Sequence, residues 1–143
     1  MKFSTAVFLA SAAFAQNLKA CEGVETLFKP STILVSPWPV IAGGKASITA
    51  EGVSSAVIGE GTEVDIVLTT HNIPIFRNSA DFCEAAAAKG HPCPRPAGQQ
   101  TIEAEIVVPA IAPAGTFQME IRTVDVDGND VACFAGDVLI AKP

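Results

Sequence analysis

Residues 101–122 read TIEAEIVVPAIAPAGTFQMEIR. At its start, Ile102, Ala104, Ile106 and Val108 alternate with Thr101, Glu103 and Glu105; at its end, Phe117, Met119 and Ile121 alternate with Gln118, Glu120 and Arg122. Successive side chains of a strand point to opposite faces, so a period of two predicts two strands with one wet and one buried face. Residues 109–115 between them hold Pro109, Pro113 and Gly115, which punctuate strands rather than extend them.

The same alternation recurs outward along the chain. KASITAE (45–51) sets Ala46, Ile48 and Ala50 against Ser47, Thr49 and Glu51, and EVDIVL (63–68) aligns Val64, Ile66 and Leu68. Further strands are expected over 25–35, 73–77 and 130–140. Breakers fall between these segments: Ser36-Pro37-Trp38-Pro39, Gly43-Gly44, Gly59-Glu60-Gly61 and Asp127-Gly128. The last is a hairpin signal, because glycine readily supplies the positive φ that tight turns need. One helix is expected at Ser79 to Lys89, capped by Ser79 or Asp81 and stopped by Gly90. About seven short strands at this spacing predict an all-β, antiparallel sandwich with one short helix.

The N-terminus, MKFSTAVFLASAAFAQ, joins one lysine to a short apolar run that ends in Ala13-Phe14-Ala15. That is the pattern of a secretory signal peptide over residues 1–15, leaving one domain at 16–143. The run is shorter than the roughly 20 residues a membrane span needs. A secreted, extracellular protein is expected, or one in an endolysosomal or vacuolar lumen. The alternative takes Leu18-Lys19-Ala20-Cys21 as a lipoprotein box with Cys21 lipidated, although Lys19 and Gln16-Asn17 separate it from the apolar run.

The whole chain carries nine basic against fifteen acidic side chains, and losing Lys2 with the signal leaves a net charge of minus seven. That sign disfavours electrostatic binding to nucleic acid or to anionic membrane surfaces. Cys21, Cys83, Cys93 and Cys133 form an even set, and an oxidising compartment makes disulfides the default among three possible pairings. Within FCEAAAAKGHPC (82–93), His91 is the one histidine near a cysteine, which is poor zinc spacing, and the redox pattern Cys-X-X-Cys is absent. No metal and no cofactor are expected.

Candidates for catalysis are few. His71 and His91 are the groups whose ordinary pKa lies near neutrality, and both fall at strand ends or in loops. A small hydrolase built on either histidine is the weakest of three functional readings, since no Gly-X-Ser-X-Gly elbow is present. Asp125 to Asp130 resembles the start of a calcium loop, but Gly128 stands at the fourth position and Gly136 where a glutamate is required. A hairpin turn explains it. Apolar residues make up 49% and charged residues 17%, with mean hydropathy +0.38. Either the core is densely packed, or the sheets enclose an apolar ligand cavity.

The order of motifs adds a resemblance. Cys21, then Phe82-Cys83-Glu84, Cys93-Pro94, Gly98, Pro-X-Ile-X-Pro-X-Gly at 109–115, and the Asp-Gly turn before Cys133-Phe134 resemble the ML lipid-recognition family. The phrasing is most similar to the fungal phosphatidylglycerol/phosphatidylinositol transfer proteins; the Niemann-Pick type C cholesterol carrier and a group of mite allergens share the family. The resemblance runs from Cys21 to about Ile140. It implies an immunoglobulin-like sandwich with Cys21 paired to Cys133 and Cys83 to Cys93. One departure is clear: family members commonly carry a third bridge near the first hairpin, and Ser36 to Gly44 holds no cysteine.

What the resemblance implies for function is a non-catalytic carrier that binds and transfers one lipid, a phospholipid or sterol, by its apolar part. It touches membranes transiently during exchange and acts as a monomer; no nucleic-acid partner is expected, on the acidic charge balance. The inward faces supply the expected lining: Ile48, Val64, Ile66, Leu68, Ile102, Ile106, Phe117, Met119, Ile121 and Phe134. Ile73, Pro74, Ile75 and Phe76 are the expected lip of the mouth, with Ile75 and Phe76 in ligand contact. Arg77, Lys89 and Arg95 are placed near that mouth, where they are candidates to meet one phosphate. The rival reading is a secreted interaction module in adhesion, immune recognition or an effector role, with a filled core.

Overall fold

Both halves of the quoted stretch are strands in the computed structural model, which describes residues 17–143. The expected signal peptide lies outside the described residues. In chain order the elements are β1 (Lys19–Ala20), β2 (Phe28–Ser36), β3 (Val40–Ile41), β4 (Lys45–Ser54), β5 (Glu63–Thr70), β6 (Ile73–Asp81), α1 (Phe82–Ala88), β7 (Gly98–Val107), β8 (Gly115–Val124) and β9 (Asp130–Ala141). Seven are long strands, as the alternation predicts, and β1 and β3 are two-residue additions.

One sheet runs β1-β9-β8-β5-β6, with β3 parallel to β9 at Val40 and Ile140; the other runs β2-β4-β7. Every other pairing is antiparallel. The inward faces meet as an immunoglobulin-like sandwich, with Val64, Ile66 and Leu68 of β5 and Phe117, Met119 and Ile121 of β8 buried on one side. Ala46, Ile48 and Ala50 of β4 and Ile106 of β7 oppose them. Burial of apolar surface at about 25 cal/mol per Å² is what holds the two layers together.

Successive connections alternate between the two ends of the sandwich, because consecutive long strands run in opposite directions. At one end lie 37–44, the two-residue turn His71-Asn72, 108–114 and the segment after Ala141; at the other lie 21–27, 55–62, 82–97 and 125–129. We call these the distal and the helix end. Backbone bonds from Gly43 N to Val108 O and from Ala42 N to Ala141 O, both 2.9 Å, tie the two sheets at the distal end.

The helix begins later than its sequence suggests. Ser79 and Ala80 still pair with Asp65 and Val64 in the β5–β6 ladder, so sheet pairing overrides their capping preference. Asp81 is the cap: its Oδ1 accepts from Glu84 N at 2.9 Å, satisfying one orphan donor of the first turn. Gly90, at φ +84°, ends the helix as expected, and His91 N donates to Ala86 O at 2.9 Å. The Asp125–Asn129 segment is a hairpin turn. Asp125 Oδ1 accepts from Asn129 N at 2.8 Å and Asp127 N at 3.0 Å, and these bonds hold its pKa below the ordinary aspartate value.

The four cysteines form two disulfides, Cys21–Cys133 and Cys83–Cys93, enclosing 112 and 10 residues of sequence separation. Cys21 is therefore not available as a lipid anchor. The first bridge fastens the N-terminal segment to β9; the second fastens α1 to the loop that follows it.

Candidate functional site

The two sheets do not pack equally along their length. Towards the distal end, Leu68, Phe117, Met119 and Ile106 fill the space between them. Towards the helix end the inward positions shrink: Ala50 on β4, Ala104 on β7, Ala132 on β9 and Ala85 on α1. In the β4–β7 ladder each alanine sits beside an isoleucine, Ala50 against Ile102 and Ile48 against Ala104. Small side chains leave a gap that the neighbouring large ones cannot close, and a cavity of about 40 Å³ remains.

Its wall is almost wholly hydrocarbon. Val64 and Ile66 come from β5, Ile121 and Thr123 from β8, Val131, Ala132 and Phe134 from β9, and Phe82 from α1. Phe134 is held by Phe28, whose fully buried ring meets it edge to face at 6.4 Å between centroids. Three consecutive residues of β7, Ile102, Glu103 and Ala104, touch the cavity. β7, an edge of the three-stranded sheet, borders the cavity here, and β6 is the neighbouring edge of the other sheet.

The helix lies over this edge and packs against both strands. Phe82, Cys83 and Ala86 point inward, and the alanine run lets the helix sit close. Two side-chain contacts join its C-terminal side to β7: the ion pair Lys89 Nζ to Glu105 Oε2 at 3.0 Å, and His91 Nε2 to Glu103 Oε1 at 3.9 Å. The Lys89 hydrogen bond, then the charges of Lys89 and Lys45, hold the Glu105 carboxyl below the usual glutamate range. Further along, Arg95 exchanges backbone bonds with Ile58 at 2.9 and 3.0 Å, and its guanidinium donates to Gln100 Oε1 and Thr101 O.

Of the twelve residues expected to line a ligand site, the structure brings Ile48, Val64, Ile66, Ile102, Ile121 and Phe134 to the cavity wall. Leu68, Ile106, Phe117 and Met119 are buried in the filled distal half instead. Ile75 and Phe76 lie on β6 beside Leu68, again in the distal half, with Ile75 exposed and Phe76 half-buried against the core. Ile73 to Phe76 enters β6 from the distal turn, and none of these residues lines the cavity, which lies towards the helix end. Lys89 and Arg95 are engaged with Glu105 and with Gln100, and Arg77 stands apart from them opposite Val67.

The residues missed were the small ones, Ala50, Ala85, Ala104, Thr123 and Ala132, together with Phe82, Glu103 and Val131. A scan for large inward residues passes over the positions whose lack of bulk makes the space. As for the histidines, His71 sits in the distal turn with Nδ1 3.3 Å from Thr70 Oγ1, at the opposite end from His91. The two candidate metal clusters among the described residues each consist of a disulfide and one glutamate, whose sulfurs offer no thiolate.

The pattern that defines the ML domain matches residues 15–140. A phosphatidylglycerol/phosphatidylinositol transfer protein of Candida albicans is 25% identical over 123 residues, 85% of this chain and 64% of the relative. The protein of the same name from Debaryomyces hansenii is 28% identical over 119 residues, 82% and 61% respectively. This chain therefore spans a little under two thirds of the length of these curated relatives. Among solved structures, a Niemann-Pick type C2 protein from Japanese carpenter ant superposes with a TM-score of 0.70 at 15% identity, covering 87% of this chain and 99% of that one. Chicken MD-1, solved in complex with lipid IVa, gives a TM-score of 0.55 at 17% identity, covering 87% and 98%.

Proposed function

Because this chain belongs to the ML domain family, we propose that it is a secreted, non-catalytic lipid carrier that holds a phospholipid or sterol between its two sheets. The observation that carries the reading is the apolar gap at the helix end, where alanines stand in for the bulk that fills the other half. Relatives named as phosphatidylglycerol/phosphatidylinositol transfer proteins and a fold neighbour solved with lipid IVa support the ligand class. Two disulfides support an oxidising compartment.

At about 40 Å³ the gap is far below the ~300–1,000 Å³ of ordinary small-molecule sites. A lipid enters only if the sheets part. Opening follows the seam where they are not hydrogen-bonded to each other, at β6 and β7, with α1 moving as the lid. The opposite side is the hinge, where β1 and β3, both paired to β9, run on into β2 and β4 of the other sheet. Each methylene then buried contributes about 0.8 kcal/mol, so an acyl chain or sterol body offsets the separation without polar recognition. Ile48, Val64, Ile66, Ile102, Ile121 and Phe134 contact the ligand first; Leu68, Ile106, Phe117 and Met119 follow if the gap extends distally. Exchange requires passing contact with a membrane, and the carrier acts as a monomer.

The small size of the gap favours one rival, a filled sandwich that works as an interaction module. Native mass spectrometry of the purified secreted protein, followed by denaturation and lipid extraction, separates the two. A stoichiometric lipid adduct is expected. A lipid-free mass that persists after incubation with phospholipid and sterol vesicles would overturn the carrier reading and leave the module.

A further inference from the structure

The outer edge of β9 is interrupted. β1 pairs with it at Phe134 and Ala135 and β3 at Ile140 and Ala141, so that among the described residues no strand pairs with Gly136 to Leu139 on that side. Continuing the β1 register by two residues brings Asn17 opposite Asp137, and a side chain takes over from the ladder there. Asp137 N donates to Asn17 Oδ1 at 2.7 Å, and Asn17 Nδ2 donates to Asp137 Oδ2 at 3.2 Å. Gly136 makes this approach possible: a Cβ there would stand 2.8 Å from Asn17 O, Asn17 Oδ1 and Leu18 Cα.

Strand alternation completes the frame. Thr116 and Gln118 of β8 point away from the core, because Phe117 and Met119 point into it, and they oppose Leu139 and Asp137 of β9. Gln118 Nε2 lies 3.5 Å from Asp137 Oδ1, so both oxygens of this half-buried carboxylate face amides. Trp38, the sole tryptophan, comes from the connection between β2 and β3, half-buried and packed against the core. Pro37 and Pro39 flank it, and their fixed φ makes a stiff support for the indole. Asn17, Trp38, Thr116, Asp137 and Leu139 line a pocket of about 230 Å³ on the outer face of the larger sheet, sharing no residue with the apolar gap.

The lining selects a ligand by its chemistry. The carboxylate accepts hydrogen bonds, the amides donate and accept, and the Thr116 hydroxyl does both. Adjacent hydroxyls on a ligand answer all of these groups at once. An ammonium only donates, which leaves the amide hydrogens unanswered, and an anion would meet Asp137 with no basic side chain among the described lining residues. Trp38 and Leu139 supply apolar surface, and an indole face carries the negative potential that attracts weakly positive C–H bonds. At about 230 Å³ the pocket falls just below the ~300–1,000 Å³ of drug-sized ligands, the scale of a single ring.

We infer that this pocket binds a neutral pyranose, its C–H face stacked on Trp38 and its adjacent hydroxyls bonded to Asp137, Asn17 and Thr116. The protein thus has a glycan site on the outside of the sandwich, separate from any lipid held within. Neither reading rests on the other.

The test titrates the full secreted chain with methyl glucoside, methyl mannoside, methyl galactoside and N-acetylglucosamine. It reads Trp38 emission and saturation-transfer NMR. Binding of at least one sugar is expected, in the millimolar range that one ring reaches. Asp137→Ala should weaken it about ten-fold, the usual loss for a hydrogen bond to a charged group; Asp137→Asn, which keeps the shape and loses the charge, serves if the alanine disturbs β9. Trp38→Phe, read by NMR, should weaken it severalfold, and so should Gly136→Ala by displacing Asn17. Leu34→Ser, on the exposed face of the other sheet, should change nothing. Four results overturn the proposal: no sugar binds, Leu34→Ser costs as much as Asp137→Ala, tetramethylammonium shifts the emission where sugars do not, or the response is confined to vesicles bearing a glycosylated lipid. A protein that binds sugar yet carries no lipid by native mass would sink the carrier reading alone; one that loads lipid but binds no sugar would sink this inference alone.

Discussion

Lys89 Nζ and Glu105 Oε2 stand 3.0 Å apart, and the pair joins the end of the lid helix to the edge strand that borders the cavity. Both side chains are partly exposed, so the contact contributes little to global stability. Its place on the seam makes it a latch. The folded Glu105 carboxyl ionises more readily than the unfolded one, so the pair stabilises the closed helix above the ordinary glutamate pKa of 4.5. That contribution is lost as pH falls through the lowered folded value.

Glu105→Gln reproduces the released latch at neutral pH. Uptake of a fluorescent phospholipid from vesicles should accelerate severalfold while the melting temperature stays nearly constant, and the exchanged pair Lys89→Glu with Glu105→Lys should restore the slow rate. Stopped-flow fluorescence checks this; equal rates in all three proteins would mean the helix is not the lid.

Filling the gap should separate binding from folding. Ala104→Leu places three more heavy atoms beside Ile48 in the cavity wall. Stability should change by no more than about 1–3 kcal/mol, the usual cost of overpacking, while the lipid adduct in the native mass spectrum is lost. Full loading of this variant would move the ligand elsewhere. Phe134→Ala, by contrast, removes the ring braced by Phe28 and should cost about 3–5 kcal/mol in denaturant unfolding.

The two disulfides close loops of very different length. On the chain-entropy estimate, replacing Cys21 and Cys133 by serine should cost about 5 kcal/mol, and replacing Cys83 and Cys93 about 3. Equilibrium unfolding measures both. The shorter bridge should show a second effect that the longer one lacks, faster lipid uptake, because it tethers α1 to its following loop. A larger stability loss from the shorter bridge would contradict the loop-length argument.

Gly52 lies against the irregularity in β2, where pairing shifts between Pro30 and Thr32. A Cβ there would stand 2.2 Å from the Lys29 carbonyl oxygen and 2.7 Å from Pro30 Cα, both backbone atoms with no freedom to withdraw. Gly52→Ala should therefore destabilise by at least about 2 kcal/mol, unlike an ordinary exposed substitution. Thermal unfolding that matches the parent would show that β2 shifts at little cost.

Much of the fold was legible in local pattern. Alternation at 45–51, 63–68, 101–108 and 116–122 marked four strands within a few residues of their ends, and Gly90 marked the helix stop. The helix start was misread because Ser79, a good cap in isolation, is claimed by the ladder to Asp65. For the site, alternation correctly told which residues face inward, yet it could not tell filled from unfilled. Met119 and Ile121 look alike in sequence; one is packed in the filled distal half and the other borders the gap.

The sequence by itself determined the inward faces, the turns and the cysteine inventory, because these follow from strand geometry and residue chemistry within a few positions. The tertiary structure alone decided where space remains, since a gap depends on the sum of side chains that two sheets bring to one layer, such as Ala50, Ala104 and Ala132 together. It also decided where charge resides. Alternate turns are carried to opposite ends of the sandwich, so a chain that is acidic as a whole presents one end without a single aspartate or glutamate in its connections.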